Sequence, residues 1–377
     1  MASDNQIAVS VYCLTYNHEK YIRKTLDGFV MQKTSFPFEV IVHDDASTDG
    51  TAAIVKEYEE KYPSIIKGIY QKENQKSQGV NIYVKHILPL IHGRYVASCE
   101  GDDFWINENK LQMQYDAMEA HPECSLCVCK VITCNEDGSP NEKTFPNSRF
   151  GLNGEGGSVL SMEKTLELLW EDGEYPFQTS AYFFRKNALL PFDHELKKVL
   201  VRDRGKLREL LLSGSFYYIY EPLSTYRLFS VGSWSSKLVH DGNSGMEKNL
   251  TENVRMELTF NQFTEGKYQK SIIICVFEMI YRLATFHAEY AQELFDGLLK
   301  DFSDEEIIND LSKCVIPGKD KELLKKFEAF KKDPYAIEKK CLRENKRTQR
   351  IKEMKAIIKK TIVGKMIYQI IKKRKSN

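Results

Sequence analysis

An apolar run over residues 7–14 predicts a buried strand, closed by the polar Thr15-Tyr16-Asn17. Ile22, Leu26, Phe29 and Val30 then recur at helical spacing. A second strand is predicted over residues 38–42, running into His43-Asp44-Asp45. Ser47, Thr48 and Asp49 offer N-caps to a helix whose Ile54, Val55, Tyr58 and Tyr62 share a face, and Pro63 stops it. Strands follow at 66–70 and 95–99, with a helical pattern of Val84, Ile87, Leu88 and Ile91 between them. The later strand ends in Glu100-Gly101-Asp102-Asp103. This alternation implies an α/β fold with a mostly parallel sheet and helices on its faces. A helix is expected at 111–120 and loop over 135–157, which is rich in Asn, Gly, Ser and Pro. Strands near 126–133, 179–184 and 216–220 complete the sheet, with a helix at 202–212 before the last. From about Met246 the pattern is helical and charged. We therefore place a domain over residues 1–240 and a helical extension over 241–377, and find no internal repeat.

Composition narrows the class. Of the 377 residues, 42% are hydrophobic, and 20 Tyr with 20 Phe supply enough core material to exclude wholesale disorder. No apolar run reaches the roughly 18 residues of a membrane span. The nearest, 271–284, is broken by Glu278 and Arg282. The first residues, Met1 to Gln6, lack the basic and apolar regions of a signal peptide, so a cytoplasmic protein is expected. Nine cysteines, an odd number, suit reduced thiols. Cys124, Cys127, Cys129 and Cys134 cluster, and four thiolates can hold zinc. Cys127 and Cys129, however, share one face of a predicted strand, which favours small buried core residues.

Three strand ends carry polar residues: Thr15-Tyr16-Asn17, Asp44-Asp45 and Asp102-Asp103. Ligands of open α/β sheets bind at the carboxyl ends of the strands, where this topology gathers all three. Adjacent carboxylates repel unless a cation, a proton or water intervenes. Hard cations take oxygen ligands, and Mg²⁺ commonly uses one or two carboxylates plus substrate phosphates. A phosphate-bearing substrate with a divalent cation is the resulting expectation. The alternative for Asp44 and Asp45 is a capping role on the next helix.

These segments, with Val9-Ser10-Val11, Ala46-Ser47-Thr48-Asp49-Gly50-Thr51 and Phe104-Trp105 around them, resemble the family 2 glycosyltransferases over about residues 7–235. The resemblance implies a GT-A fold, in which a Rossmann-like nucleotide-binding half and an acceptor half share one sheet. It further implies inverting sugar transfer from a nucleotide-diphosphate donor, typically UDP-linked, to a saccharide or lipid-linked saccharide, with Mn²⁺ or Mg²⁺ as cofactor. By the same resemblance, Leu14, Thr15, Asn17, Asp44, Asp45 and Asp102 are nucleotide-binding. Asp45 reads the base edge, and Asp103 is the metal ligand. Trp105 and Thr179 are assigned to the acceptor or donor-sugar pocket. The family's catalytic base opens a helix some two dozen residues before a Tyr-Arg pair. Tyr226-Arg227 fits that pair, and counting back 24 residues from Arg227 gives Asp203. Arg202 and Arg204 flank it, where cations would lower its pKa and weaken it as a base. The family's histidine after the pair is replaced here by Leu228 and Phe229.

Charge is unevenly spread behind a net of +1: residues 338–377 carry 15 Lys/Arg and 3 Asp/Glu, leaving the remainder at −11. Ile351, Met354, Ile357, Ile358, Ile362, Val363, Met366, Ile367, Ile370 and Ile371 form one helical stripe, with lysines over most of the rest. A basic amphipathic helix over about 351–375 suits an anionic membrane surface, hence peripheral attachment to the cytoplasmic face. A core or oligomer helix is the alternative. Nucleic acid is not expected, because aromatic interleaving is nearly absent and the acidic body would repel it. A sugar-phosphate nucleotidyltransferase would want a Gly-rich loop after the first strand, and Leu14 to Asn17 has no glycine. A catalytically silent membrane-associated scaffold is the remaining rival.

Overall fold

The computed structural model describes residues 6–146, 152, 154–168, 176–191, 194–198, 200, 202–230, 234–314 and 318–360. Its strands are β1 (Val9–Thr15), β2 (Phe38–Asp44), β3 (Ile66–Tyr70), β4 (Tyr95–Ser98), β5 (Phe104–Trp105), β6 (Cys124–Cys134), β7 (Pro140–Phe145), β8 (Gly157–Leu160), β9 (Phe183–Arg185) and β10 (Ser215–Arg227). They form one mixed sheet in the order β3-β2-β1-β4-β9-β6-β10-β5, with β7 added to β6 and β8 to β10. The first four strands in that order are parallel, and β9 joins them antiparallel to both β4 and β6. Val9, Val11, Val40, Ile41 and Val42 are fully buried, as expected of a parallel sheet covered on both faces. The covering helices in this half include α1 (Ile22–Val30), α2 (Thr51–Lys61) and α3 (Lys110–Ala120).

Four elements differ from the sequence expectation. The pattern at Val84 to Ile91 is not an α-helix but a π-type turn at Tyr83–Ile87 followed by a 3-10 turn at Leu88–Leu90. Pro89 explains the break, since it has no N–H and its ring clashes with the preceding turn. Residues 140–145, expected as loop, form β7, which folds back on β6 around the turn where Asn135 donates its N–H to Ser139 O at 2.9 Å. Thr179–Ala181 is a 3-10 turn, and only Phe183–Arg185 is strand. Finally, β10 continues past Tyr220 to Arg227, its register against β6 shifting on both sides of Pro222. A proline cannot donate to the ladder, so the strand bulges there and resumes.

The remaining helices are α4 (Met162–Leu168), α5 (Arg202–Ser213), α6 (Trp234–Phe263), α7 (Gln269–Ala284), α8 (Ala288–Leu298), α9 (Asp304–Ser312), α10 (Lys319–Lys332) and α11 (Pro334–Lys360). The sheet ends at Arg227 and α6 begins at Trp234, which marks where strands give way to helices. The apolar stretch noted at 271–284 is α7, a helix buried on every side: Ile272, Ile273, Ile274, Val276, Phe277, Met279 and Ile280 are all at most 3% exposed. Its Glu278 is paired with Lys326 Nζ at 3.0 Å. No helix among the described residues is long and apolar enough to cross a membrane. The helices dock on the sheet half through α4 against α7 and through a fully buried ion pair, Arg208 on α5 with Glu257 on α6. At the start of α11, Ile337 is buried and Glu338 accepts the Ala288 N–H at 3.1 Å. Beyond Cys341, the described side chains of residues 342–346 and 348 are all exposed. The backbone is helical to Lys360, and the rest of the expected amphipathic helix lies outside the described residues.

Candidate active site

The ends of β1, β2 and β4 meet at one edge. Thr15 and Asp44 are register partners, Asp45 N–H donates to Thr15 O at 3.0 Å, and Gly101 N–H donates to Leu14 O at 3.0 Å. Gly101 is needed at this approach: a Cβ there would lie 2.5 Å from Thr15 Oγ1 and 2.7 Å from His18 Nδ1. Asn17 and Ala46 take left-handed φ values of 56° and 62° just past their strands. For Ala46 that costs roughly 1–2 kcal/mol, the kind of strain that collects at functional loops. Asn17 clasps the two loops together, accepting Thr48 N–H at 2.8 Å and donating its own N–H to Ser47 Oγ at 2.9 Å.

Within this edge three buried polar atoms have no partner: Thr15 Oγ1, His18 Nδ1 and Asp44 Oδ1. Buried polar groups are almost always satisfied, so an orphan cluster at a strand edge is a mould for a ligand with hydrogen-bonding groups. Asp44 uses only Oδ2, on Ser47 N–H at 3.1 Å, and burial raises its pKa. Asp45 differs. Its Oδ1 accepts Gln75 N–H at 2.7 Å and its Oδ2 accepts Lys76 N–H at 3.0 Å. The Asp45 carboxylate thus staples the loop after β3 with one bond on each oxygen, whereas Asp44 Oδ1 has no partner. His18 lies against Gly101 and feels the Asp102 charge, although burial outweighs it and lowers the pKa.

Asp103, the expected metal ligand, is 1% exposed, and its Oδ1 accepts the Arg227 N–H at 2.9 Å. Burial, then the adjacent Asp102, pushes its carboxyl well above the usual range. Asp103 braces the β4–β5 turn against β10 through Oδ1, while its Oδ2 makes no hydrogen bond among the described residues. Asp102 is better placed, held by a hydrogen bond from Ser230 Oγ to its Oδ2. Glu100, two residues earlier, presents exposed surface to the cleft while its walls enclose it. That enclosure first, then the charges of Asp203 and Asp102, pushes its carboxyl up to about 8. Asp203 thus faces the same cleft from the first turn of α5, with its side chain exposed. Arg204 does not crowd it: its guanidinium is buried against Met279 Sδ of α7 at 3.7 Å. Among the described residues, Lys206, one turn along α5, feels the Asp203 charge, and sequence spacing alone could have flagged it. Its ammonium donates to Tyr12 Oη at 2.7 Å and lies 4.6 Å over the Tyr83 ring. Lys206 also lowers the Glu100 pKa.

Trp105 does not line the cleft. It is 2% exposed, donates Nε1–H to Ser180 O at 2.9 Å and packs edge-on against Phe29, so the indole is a core wedge. Thr179 is half-buried beside β4, where its carbonyl accepts Ser98 Oγ–H at 2.7 Å. The aromatic faces offered to solvent near the site are Tyr16, 43% exposed after β1, and Phe229, 56% exposed after β10. All nine cysteines are free thiols, with Cys124, Cys127, Cys129 and Cys134 buried. Among the described residues no group of three or more His, Cys, Asp or Glu is placed to hold a metal. Glu100, exposed, and Asp102, 8% exposed, carry hard oxygen donors that fit a divalent cation whose other ligands come from substrate oxygens.

This edge of an α/β sheet thus carries unpartnered polar atoms on one side and carboxylates on the other. Residues 10–190 match the family model described as glycosyl transferase family 2. Residues 10–190 belong to that family, and the sheet has the GT-A fold. An uncharacterized protein of Mycobacterium tuberculosis is 41% identical over 228 residues, covering 60% of this chain and 61% of that protein. The chain thus spans about 61% of the length of that relative. The poly(ribitol-phosphate) beta-N-acetylglucosaminyltransferase TarS of Staphylococcus aureus is 31% identical over 152 residues, 37% of this chain and 25% of TarS. A crystal structure of S. aureus TarS in complex with UDP superposes with a TM-score of 0.52 at 19% identity, covering 88% of this chain and 90% of that one.

Proposed function

We propose that the chain transfers a sugar from a nucleotide-diphosphate sugar, UDP-linked, to a hydroxyl of a saccharide or lipid-linked saccharide, with inversion, in cell-wall polysaccharide or glycoconjugate synthesis. The observation that carries this reading is the meeting of orphan acceptors, Thr15 Oγ1 and Asp44 Oδ1, with Glu100, Asp102 and the exposed Asp203 around one cleft. An ionised Asp44 accepts from an imide N–H such as uracil N3–H, which supports a uridine donor. Family membership and the UDP bound by TarS point the same way.

Asp203 then acts as general base. Its carboxylate takes the proton of the acceptor hydroxyl while that oxygen bonds to the anomeric carbon from the face opposite the diphosphate. The bond from that carbon to the diphosphate oxygen breaks in the same step, and the nucleoside diphosphate leaves. Lys206, one turn along α5, feels the Asp203 charge, which helps to raise the Lys206 pKa against burial. Mn²⁺ or Mg²⁺ held by Glu100 and Asp102 would supply neutralisation of the departing diphosphate. The exposed start of the basic stretch after Cys341 supports a membrane-directed tail rather than one packed on this body. Acceptors at the cytoplasmic membrane face would then be reached by peripheral attachment.

The test is nucleoside-diphosphate release from a panel of UDP-, GDP- and dTDP-sugars with Mn²⁺ and candidate acceptors. Asp203→Asn should lower kcat by about 10²–10⁴ while donor affinity stays within a few fold. Collapse of donor binding in this variant would make Asp203 a binding or structural residue. No turnover of any donor by the wild-type chain would favour the silent scaffold.

A further inference from the structure

Arg227, at the end of β10, is 4% exposed, yet its guanidinium meets only neutral acceptors. Nε donates to Asp102 O at 3.0 Å, and Nη1 donates to Asn135 O at 3.4 Å and Glu136 O at 2.8 Å. The Tyr21 ring lies 4.7 Å from it. A guanidinium has five N–H donors. Those on Nη2 have no partner among the described residues. Asp103 and Asp137 lie near enough to feel its charge, but neither carboxylate hydrogen-bonds the guanidinium, so its free N–H groups remain open to a further anion.

The same arginine lines an open depression of about 720 Å³ whose lining includes none of Asp44, Glu100, Asp102 or Asp203. That size is within the roughly 300–1,000 Å³ of ligand sites. Lys20 and Lys24, around the start of α1, line it too, and neither makes an ion pair; Lys24 Nζ lies 3.8 Å over the Phe104 ring. Glu136 and Asp137 come from the β6–β7 turn, but both are engaged. Glu136 accepts from Tyr21 Oη at 3.2 Å, and Asp137 accepts Ser139 N–H at 2.9 Å. Three cations against two carboxylates leave one positive charge in the depression.

We propose that this depression binds a phosphodiester within a polyol- or sugar-phosphate chain. A phosphodiester is a monoanion, which matches the single excess charge, and its free oxygens suit the open arginine amino group with two mobile lysines. The volume leaves room for the flanking polyol or sugar, and the lining mixes charged groups with apolar surface that includes Tyr21, which suits a sugar or polyol carrying an anion. Arg227 Nε holds the Asp102 carbonyl, so an anion here braces the turn that presents Asp102 to the cleft. The proposal does not rest on the transferase reading, because its test is binding alone.

The experiment is isothermal titration of the full chain in EDTA, without donor, using a phosphodiester-linked glycerol phosphate oligomer and, separately, inorganic phosphate. Lys20 and Lys24 are exposed, so the Lys20→Gln/Lys24→Gln variant should keep the wild-type melting temperature. The oligomer should bind the wild type at least about tenfold more tightly than this variant, and less tightly as salt rises. Lys325→Gln/Lys339→Gln removes the same charge from exposed sites elsewhere and should leave the affinity unchanged. Inorganic phosphate should bind at least about tenfold more weakly than the oligomer. Equal affinity in the wild type and the Lys20/Lys24 variant overturns the site. Inorganic phosphate binding as tightly as the oligomer overturns the assignment to a phosphodiester chain, and so does absence of oligomer binding at millimolar concentration.

Discussion

Glu257→Leu tests what holds the helix that carries Asp203. Arg208 and Glu257 form a bidentate pair across α5 and α6, with Nε to Oε2 at 3.1 Å and Nη2 bonded to Oε1, both side chains 0% exposed. Removing the carboxylate strands a guanidinium in the interior, which costs about 3–5 kcal/mol. With about 2 cal/mol/K of unfolding entropy per residue, a cooperative chain of 377 residues should lose roughly 4–6 °C in melting midpoint. Replacing both partners, Arg208→Met with Glu257→Leu, removes the stranded charge and should recover the wild-type midpoint or exceed it. The leucines Leu207, Leu210 and Leu211 on α5 are fully buried and still seat the helix. Transfer by the double variant should then return to within a few fold of wild type. Thermal melts and urea titrations on the four proteins of the cycle supply the measurement. A single variant within 1 °C of wild type, or a double variant no more stable than the single, would refute the reasoning that an uncompensated charge is the cost.

Three other outcomes follow from particular contacts. Asp103→Ala strands the buried Arg227 N–H and should lose about 1–3 kcal/mol of stability, whereas Asp102→Asn should leave the melting temperature unchanged and remove metal-supported transfer. Equal melting temperatures for the two variants would contradict the division between strut and cleft ligand. His43, 0% exposed, has its pKa pushed down to about 4 by burial. Unfolded His43 titrates near 6.5, so the unfolded chain binds more protons between those values, and stability falls with falling pH, by about 3 kcal/mol in all. His43→Gln should flatten the urea midpoint between pH 6.5 and 4, and an unchanged slope would mean that other groups carry it. Removing residues 345–377 leaves Ile337 and Glu338 docked, so it should preserve the melting temperature and abolish salt-sensitive binding to anionic vesicles. A large loss of stability with vesicle binding retained would instead support the packed-helix reading.

The parallel half of the fold was legible because its signals are local. Buried strands at Val9 and Val40 read as unbroken apolar runs, Pro63 stops a helix, and acidic strand ends must share an edge in any such sheet. The helix that begins at Arg202 was equally legible, from the spacing of Leu207, Leu210 and Leu211, while the choice of Asp203 within it rests on the family resemblance. Pairing was not. The residues of β7 look like loop until β6 supplies a partner, and β10 outlasts its proline only because β6 carries the ladder across the bulge. Nor could a run of acidic letters say which carboxylate is open. Asp45 has both oxygens engaged, by amides 30 and 31 residues away, while Asp44, Asp102 and Asp103 each have one oxygen engaged, that of Asp103 by an amide 124 residues away. Composition lists donors and acceptors along the chain. Which are spent on the protein and which remain for a ligand depends on partners brought close by folding, because a hydrogen bond is decided within about 3 Å of space and not by distance along the sequence.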